Sequence, residues 1–172
     1  MARNVVLVGF SGAGKTTIGR ELALRLGLEF VDLDAAIEEK YHATIPHIFQ
    51  KYGESVFRQC EYRTLKETLE GQGNVIAAGG GTPANQDAMQ LMNAHAVTVY
   101  IDLSEETLVQ RLKNSKKERP LTTSLTEEEL VVYVHDRLEH RLPFYRMAQL
   151  TVREEEFDAE KLYEMICHLL EK

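Results

Sequence analysis

Near the start of the chain, Gly9-Phe10-Ser11-Gly12-Ala13-Gly14-Lys15-Thr16 places an ammonium and a hydroxyl directly behind closely spaced glycines, in the pattern GxxxxGK[ST]. Glycine accepts backbone dihedrals that a Cβ forbids, so such a loop can turn its N–H groups inward on one anion. An apolar run at residues 5–8 precedes it and an amphipathic run follows to about Leu26. The loop therefore joins a strand to a helix whose N-terminus adds partial positive charge. In that setting Lys15 reaches the β- and γ-phosphates of a nucleoside triphosphate and the Thr16 hydroxyl ligates Mg²⁺. Gly12, Ala13, Gly14, Lys15, Thr16 and Thr17 are the expected nucleotide contacts. The bland alternative is a tight strand–helix turn that binds nothing.

A second group of reactive side chains follows a short apolar run. Phe30-Val31-Asp32-Leu33-Asp34 puts two carboxylates at the C-terminal end of a predicted strand. Residues two apart in extended chain face one side, so both are expected to point into a crevice beside the glycine loop. One suits hydrated Mg²⁺, which keeps several waters; the other suits an acceptor hydroxyl. Helix capping by Asp34 explains part of the pattern equally well. Asp102 ends another apolar run and competes as the metal partner, but Ser104 follows it at a helix start and capping accounts for it. Asp32 is preferred.

Glu54, Phe57, Arg58 and Glu61 fall at i, i+3, i+4 and i+7 and share one helix stripe. That mixture suggests a pocket wall in which Phe57 packs on a ring face and Arg58 holds an anion, oriented by Glu61. The competing reading is a surface salt bridge with Phe57 in the core. Gly79, Gly80 and Gly81 end a buried apolar run; three glycines together point to a ligand pressed against bare backbone. Residues 113–125 are polar and charged without an apolar period, and carry Lys113, Lys116, Lys117 and Arg119. A basic loop there could close over a triphosphate, with Arg119 favoured over the lysines for stabilising transition-state charge.

Positioning these groups falls to strands and helices that alternate along the chain. Strands are expected at residues 5–8, 30–32, 75–78, 96–102 and 150–152. Helices are expected at 14–26, 35–41, from Thr44 to before Phe49, at 54–69, 83–93, 104–112 and 126–141, and from Asp158 onward. Thr126 with Glu129 spells a capping box. Such alternation predicts a parallel sheet covered on both faces, with ligands at the C-terminal edge of its strands. The 172 residues suit one domain, and at 44% hydrophobic and 27% charged the composition is that of a soluble globular protein. The formal charge of −7 argues against a broad nucleic-acid-binding face. Neither a membrane span nor a signal peptide is expected. Cys60 and Cys167 read as free thiols of a reducing cytoplasm.

Six pieces in this order, GFSGAGKT, the DxD of Asp32 and Asp34, GExxFRxxE at residues 53–61, the GGG at 79–81, RPL at 119–121 and RxPxY at 141–145, resemble the shikimate kinase family over nearly the whole chain. The resemblance implies a three-layer α/β/α P-loop kinase fold with a central five-stranded parallel sheet and a mobile lid. It implies a single domain over 1–172, the lid at about 113–125 and an acceptor-binding helical region at about 33–61. The implied reaction transfers the γ-phosphate of ATP to the 3-hydroxyl of shikimate, with Mg²⁺, on the route to chorismate and the aromatic amino acids. By the same resemblance Lys15, Asp34 and Arg119 are catalytic, Asp34 binding the acceptor's hydroxyls. Asp32 contacts Mg²⁺ through water, Arg58 and Arg141 grip the acceptor's carboxylate, and Gly80 offers its N–H. Phe49, Phe57, Pro120 and Leu121 pack around the ring, and Arg111 lies on the adenine side. The partners expected are ATP and shikimate, without nucleic acid or membrane, for a cytoplasmic monomer. Two other readings are a kinase for gluconate or a nucleoside monophosphate, and a non-catalytic module. The DxD, FRxxE and RxPxY set argues against the first; retention of Lys15, Thr16 and Asp34 argues against the second.

Overall fold

The computed structural model describes residues 3–115, 124–153 and 158–171. Every residue of β1 (Asn4–Val8) is buried, as expected of a central strand covered on both faces. After it come α1 (Lys15–Leu26), β2 (Glu29–Asp32), α2 (Leu33–Tyr41), α3 (Ile45–Glu70), β3 (Asn74–Ala77), a 3-10 turn (Thr82–Ala84), α4 (Ala88–His95), β4 (Ala96–Asp102), α5 (Glu105–Lys113), α6 (Glu127–Tyr145), β5 (Leu150–Arg153) and α7 (Ala159–Leu170).

Among the described residues the strands form one five-stranded sheet in the order β2-β3-β1-β4-β5, all pairs parallel, with Val5 opposite both Val75 and Val97. The partly exposed strands β2 and β5 occupy the edges. Helices α1 and α7 pack together against the sheet, while α3, α4 and α6 meet around the 3-10 turn. This is the expected three-layer α/β/α arrangement. Strand order reverses about β1, so the crevice at the C-terminal ends of β1 and β3 is where such a sheet leaves room for a ligand.

Several boundaries differ from the sequence reading. Helix α2 begins at Leu33, one residue after the strand, and its N-cap is Asp32 rather than Asp34. Asp34 therefore lies in the first helical turn, and the extended-chain argument for its direction does not apply. The stretch 45–70 is continuous but breaks at Gly53, whose φ of 82° and ψ of 171° are not helical. The helix expected at 83–93 divides into the 3-10 turn and α4, because Gln86 takes a left-handed φ of 53° between them. Lys113 closes α5 instead of opening the loop, and its Nζ pairs with Glu127 Oε2 at 2.6 Å. The expected lid falls mainly on 116–123; Arg119, Pro120 and Leu121 lie outside the described residues. The caps at Thr44, Ser104, Thr126 with Glu129, and Asp158 form as read. Among the described residues no helix is long and apolar enough to cross a membrane, and Cys60 and Cys167 are free thiols.

Candidate active site

The loop after β1 is shaped by its glycines. Gly9 has φ 147°, and a methyl group there would meet the Ile101 carbonyl oxygen at 2.7 Å. Gly12 and Gly14 also take positive φ, at 86° and 93°. Gly14 is the N-cap of α1 and has no side chain to cap with, and no acidic residue enters the first turn. Helices α2, α3, α5, α6 and α7, by contrast, carry side-chain caps. Helix α4 is likewise uncapped, but among the described residues α1 alone follows a loop of positive-φ glycines, and its start is arranged for an external anion. Lys15 is 8% exposed, and its ammonium donates to the carbonyls of Gly9 at 2.7 Å and Phe10 at 2.8 Å.

In front of this loop is a cleft of about 320 Å³, within the usual size of a small-molecule site. Its walls are Ser11, Gly12, Gly14, Lys15 and Thr16 from the loop, Asp32 and Asp34, residues 77–80 after β3, and Arg111 with Ser115. A second groove of about 330 Å³ opens beside it between Ala13, Gly14, Thr17, Ile18, Ile101, Leu103, Val152 and Arg153. Arg111 borders both, and its Nη1 donates to the Ala13 carbonyl at 3.4 Å.

Thr16 Oγ1 donates to Asp32 Oδ2 at 3.0 Å. The other Asp32 oxygen accepts from the N–H of Asp34 at 3.1 Å and of Ala35 at 3.3 Å. Capping thus uses one oxygen and leaves the other facing the Thr16 hydroxyl at the cleft. A hydroxyl and a carboxylate together are hard oxygen donors that fit Mg²⁺. Among the described residues no trio of His, Cys, Asp or Glu could hold a metal; Mg²⁺ seldom uses an all-protein cage and takes phosphate oxygens and water instead. Asp102 accepts from the Tyr100 hydroxyl at 2.9 Å and stands 4.0 Å from Arg153 Nε. It does not cap α5; Ser104 does.

The three glycines after β3 make the central junction. A methyl group on Gly79 would lie 3.0 Å from Glu61 Oε1 and 3.2 Å from Asp34 Oδ1. On Gly80 it would lie 2.9 Å from the Ser11 nitrogen and 3.4 Å from Arg141 Nη1, and on Gly81 2.5 Å from Arg58 Nη2. The run is bare because side chains and the phosphate loop press on it from several sides. Asp34, Arg58, Arg141 and the glycine loop, far apart in sequence, converge there.

Glu61 is 1% exposed and well satisfied. It accepts from Arg58 Nη1 at 2.9 Å, Thr82 Oγ1 at 2.7 Å and Asn85 Nδ2 at 3.3 Å. Burial pulls the Arg58 guanidinium down, but Glu61 and Glu54 more than offset it, and its pKa lies above the ordinary value. Arg141 is 7% exposed and its guanidinium lies 5.4 Å from the Phe10 ring centroid.

Phe57 departs from the sequence reading. It is buried in the core, its ring 4.6 Å from that of Phe49 and 5.2 Å from the Arg58 guanidinium. Phe57 thus packs on Phe49 and lies beneath the Arg58 guanidinium. The cleft lining stops at Gly80 and does not include Phe49, Phe57, Arg58, Glu61, Gly81 or Arg141. Thr82 and Asn85, which fix Glu61 and Arg58, were not singled out by the sequence. Their signal was weak: Thr82 directly follows the glycines and Asn85 comes three residues later.

A central parallel sheet, a phosphate loop at its switch point and an acidic pair beside it define a P-loop kinase. A family model described as shikimate kinase matches residues 11–171. The chain belongs to the shikimate kinase family and is an ATP-dependent enzyme. A shikimate kinase of Parabacteroides distasonis is 44% identical over 160 residues, covering 93% of this chain and 90% of that protein. The crystal structure of shikimate kinase from Bacteroides thetaiotaomicron is similar with a TM-score of 0.88 at 36% identity, covering 99% of each chain. Shikimate kinase from Acinetobacter baumannii, solved in complex with shikimate, has a TM-score of 0.86 at 38% identity, covering 98% of this chain and 93% of that one.

Proposed function

We propose that the chain transfers the γ-phosphate of ATP to the 3-hydroxyl of shikimate, giving shikimate 3-phosphate and ADP. The observation that carries this reading is the convergence of Asp34, Arg58 and Arg141 on the glycines 79–81, with Gly80 against Ser11 of the phosphate loop. Two guanidiniums, a carboxylate and bare backbone suit a small polyhydroxy acid. Planar guanidinium donates paired bonds to a carboxylate. Arg58 and Arg141 hold that carboxylate, Gly80 gives its N–H, and Asp34 accepts the hydrogen bond of the attacking hydroxyl. The Gly12, Ala13, Gly14, Thr16 and Thr17 backbone holds the phosphates, and the second groove takes the base, with Arg111 between. Lys15 leaves its two carbonyls for the β- and γ-phosphates, which stabilises charge on the transferring group. Thr16 and Asp32 would hold Mg²⁺, which when bound neutralises phosphate charge. Arg119, with Pro120, is assigned to a closing lid by its motif alone.

A coupled ADP-release assay across shikimate, gluconate and nucleoside monophosphates tests the reading. A site built to hydrogen-bond its substrate is expected to favour shikimate in kcat/KM by about a thousandfold or more. Equal or better turnover of gluconate or a nucleotide would overturn it.

The crowded glycines supply a separate expectation. In Gly81→Ala the three atoms nearest the new methyl all belong to the far end of Arg58, which can swing aside. The KM for shikimate should rise about tenfold while that for ATP holds. In Gly80→Ala the methyl meets the Ser11 backbone nitrogen, which cannot move without the phosphate loop, so both KM values should rise. Steady-state kinetics in both substrates separates the two variants.

A further inference from the structure

Tyr145 ends α6 and is fully buried. Its ring stacks on Tyr100 with centroids 5.1 Å apart. Packing would be served equally by phenylalanine, yet the hydroxyl is there and engaged. It donates to the Gly80 carbonyl at 2.5 Å, and Arg141, one helical turn back on the same face, brings its Nη1 within 3.4 Å of where a Gly80 methyl would stand. One buried phenol therefore anchors a backbone group assigned above to the acceptor, and Arg141, another such group, lies against that backbone. We propose that Tyr145 is a positioning residue for acceptor binding: its hydroxyl holds the Gly80 backbone in place beside the Arg141 guanidinium.

The physical need follows from the glycines. The Gly80 carbonyl shares a peptide plane with the N–H of Gly81. Within consecutive glycines that plane rotates at little steric cost. Holding its oxygen sets ψ of Gly80 and the place of Gly81, against which Arg58 packs. Arg141 Nη1 packs close to Gly80, so a fixed Gly80 also bounds the space open to that guanidinium, and preorganised groups bind without further ordering cost. Burial, the largest influence, raises the phenol's pKa; Arg141 and Arg58 lower it in part, leaving it at about 12. The hydroxyl thus keeps its proton, and its role as donor, through the neutral range.

This inference rests on the proposed acceptor reading, and its test separates the two. Wild-type chain is first assayed with shikimate; absence of turnover overturns both. Tyr145→Phe keeps the stacked ring and removes only the hydroxyl. The KM for shikimate is expected to rise about three- to tenfold, the reach of one ordinary hydrogen bond, with the KM for ATP within about twofold. Tyr100→Phe, which removes the hydroxyl on the other ring of the stack, should leave the shikimate KM unchanged. Incorporating 4-aminophenylalanine at position 145 restores a para donor and should bring the shikimate KM back within about twofold of wild type. Should Tyr145→Phe fail to fold, 4-fluorophenylalanine, which lacks the donor, takes its place in the comparison. An unchanged shikimate KM in the donor-less variant would overturn the proposal, as would a parallel rise in both KM values or a failure of the amino analogue to rescue.

Discussion

Lys15→Ala is expected to lower kcat by about a thousandfold or more while the chain stays folded. Removing one preorganised donor from a charge-developing centre costs about 10²–10³ in rate, and Lys15 carries a full charge where phosphoryl transfer relies on positioning and neutralisation. The structural consequence runs two ways. The Gly9 and Phe10 carbonyls lose their donor, a loss of about 1–3 kcal/mol if they stay dry. Against this, the charge of a residue only 8% exposed no longer has to be desolvated. The melting temperature should therefore fall by no more than about 5 °C. Single-turnover kinetics with a thermal melt on the same sample checks both halves. Near-wild-type turnover would remove the nucleotide assignment.

The second large effect concerns the arginines, which should not be equal. Arg141 is 7% exposed, whereas the Arg58 side chain is 21% exposed and already paired with Glu61 and Glu54. Of the two, among the described residues, Arg58 alone pairs with carboxylates, and a dry guanidinium whose charge is not so spent holds an incoming anion more strongly. Truncating one partner of a buried charged pair costs about 2–5 kcal/mol. Arg141→Ala is therefore expected to raise the KM for shikimate by about a hundredfold or more. Arg58→Ala should raise it about tenfold. It should also destabilise the chain, because Glu61 loses its cation while buried and, among the described residues, retains Thr82 and Asn85 as donors. The KM for ATP should change little in either. A rise confined to the ATP constant would contradict the acceptor assignment.

The sequence was most legible where the chemistry is local. The phosphate loop, its strand and its helix were written in one contiguous stretch, and the caps at Thr126 and Asp158 depend on neighbours within three residues. The acidic pair was half legible. The residue types were right, but the strand ends at Asp32 and the helix starts at once, so the cap passes to Asp32 and Asp34 turns into the first helical turn. The stripe at Glu54, Phe57, Arg58 and Glu61 was visible as a periodicity. Its burial was not, because that depends on Phe49 across the Gly53 break and on Thr82 and Asn85 beyond the next strand. The three glycines signalled close approach without saying by what. The answer, Asp34, Arg58, Arg141 and Ser11, is assembled by the sheet order and lies in no local window. Tyr145 was visible only as the last letter of a motif, since its partner Gly80 is 65 residues away.

The most direct measurement is a charge cycle at Arg141. kcat/KM is determined for shikimate and for its uncharged carboxamide, in wild-type chain and in Arg141→Ala. If Arg141 meets the acceptor's carboxylate, replacing that carboxylate should cost wild type about a hundredfold and the variant about tenfold or less, a coupling of about 1.4 kcal/mol or more. The same loss in both proteins would mean that Arg141 does not touch the acid.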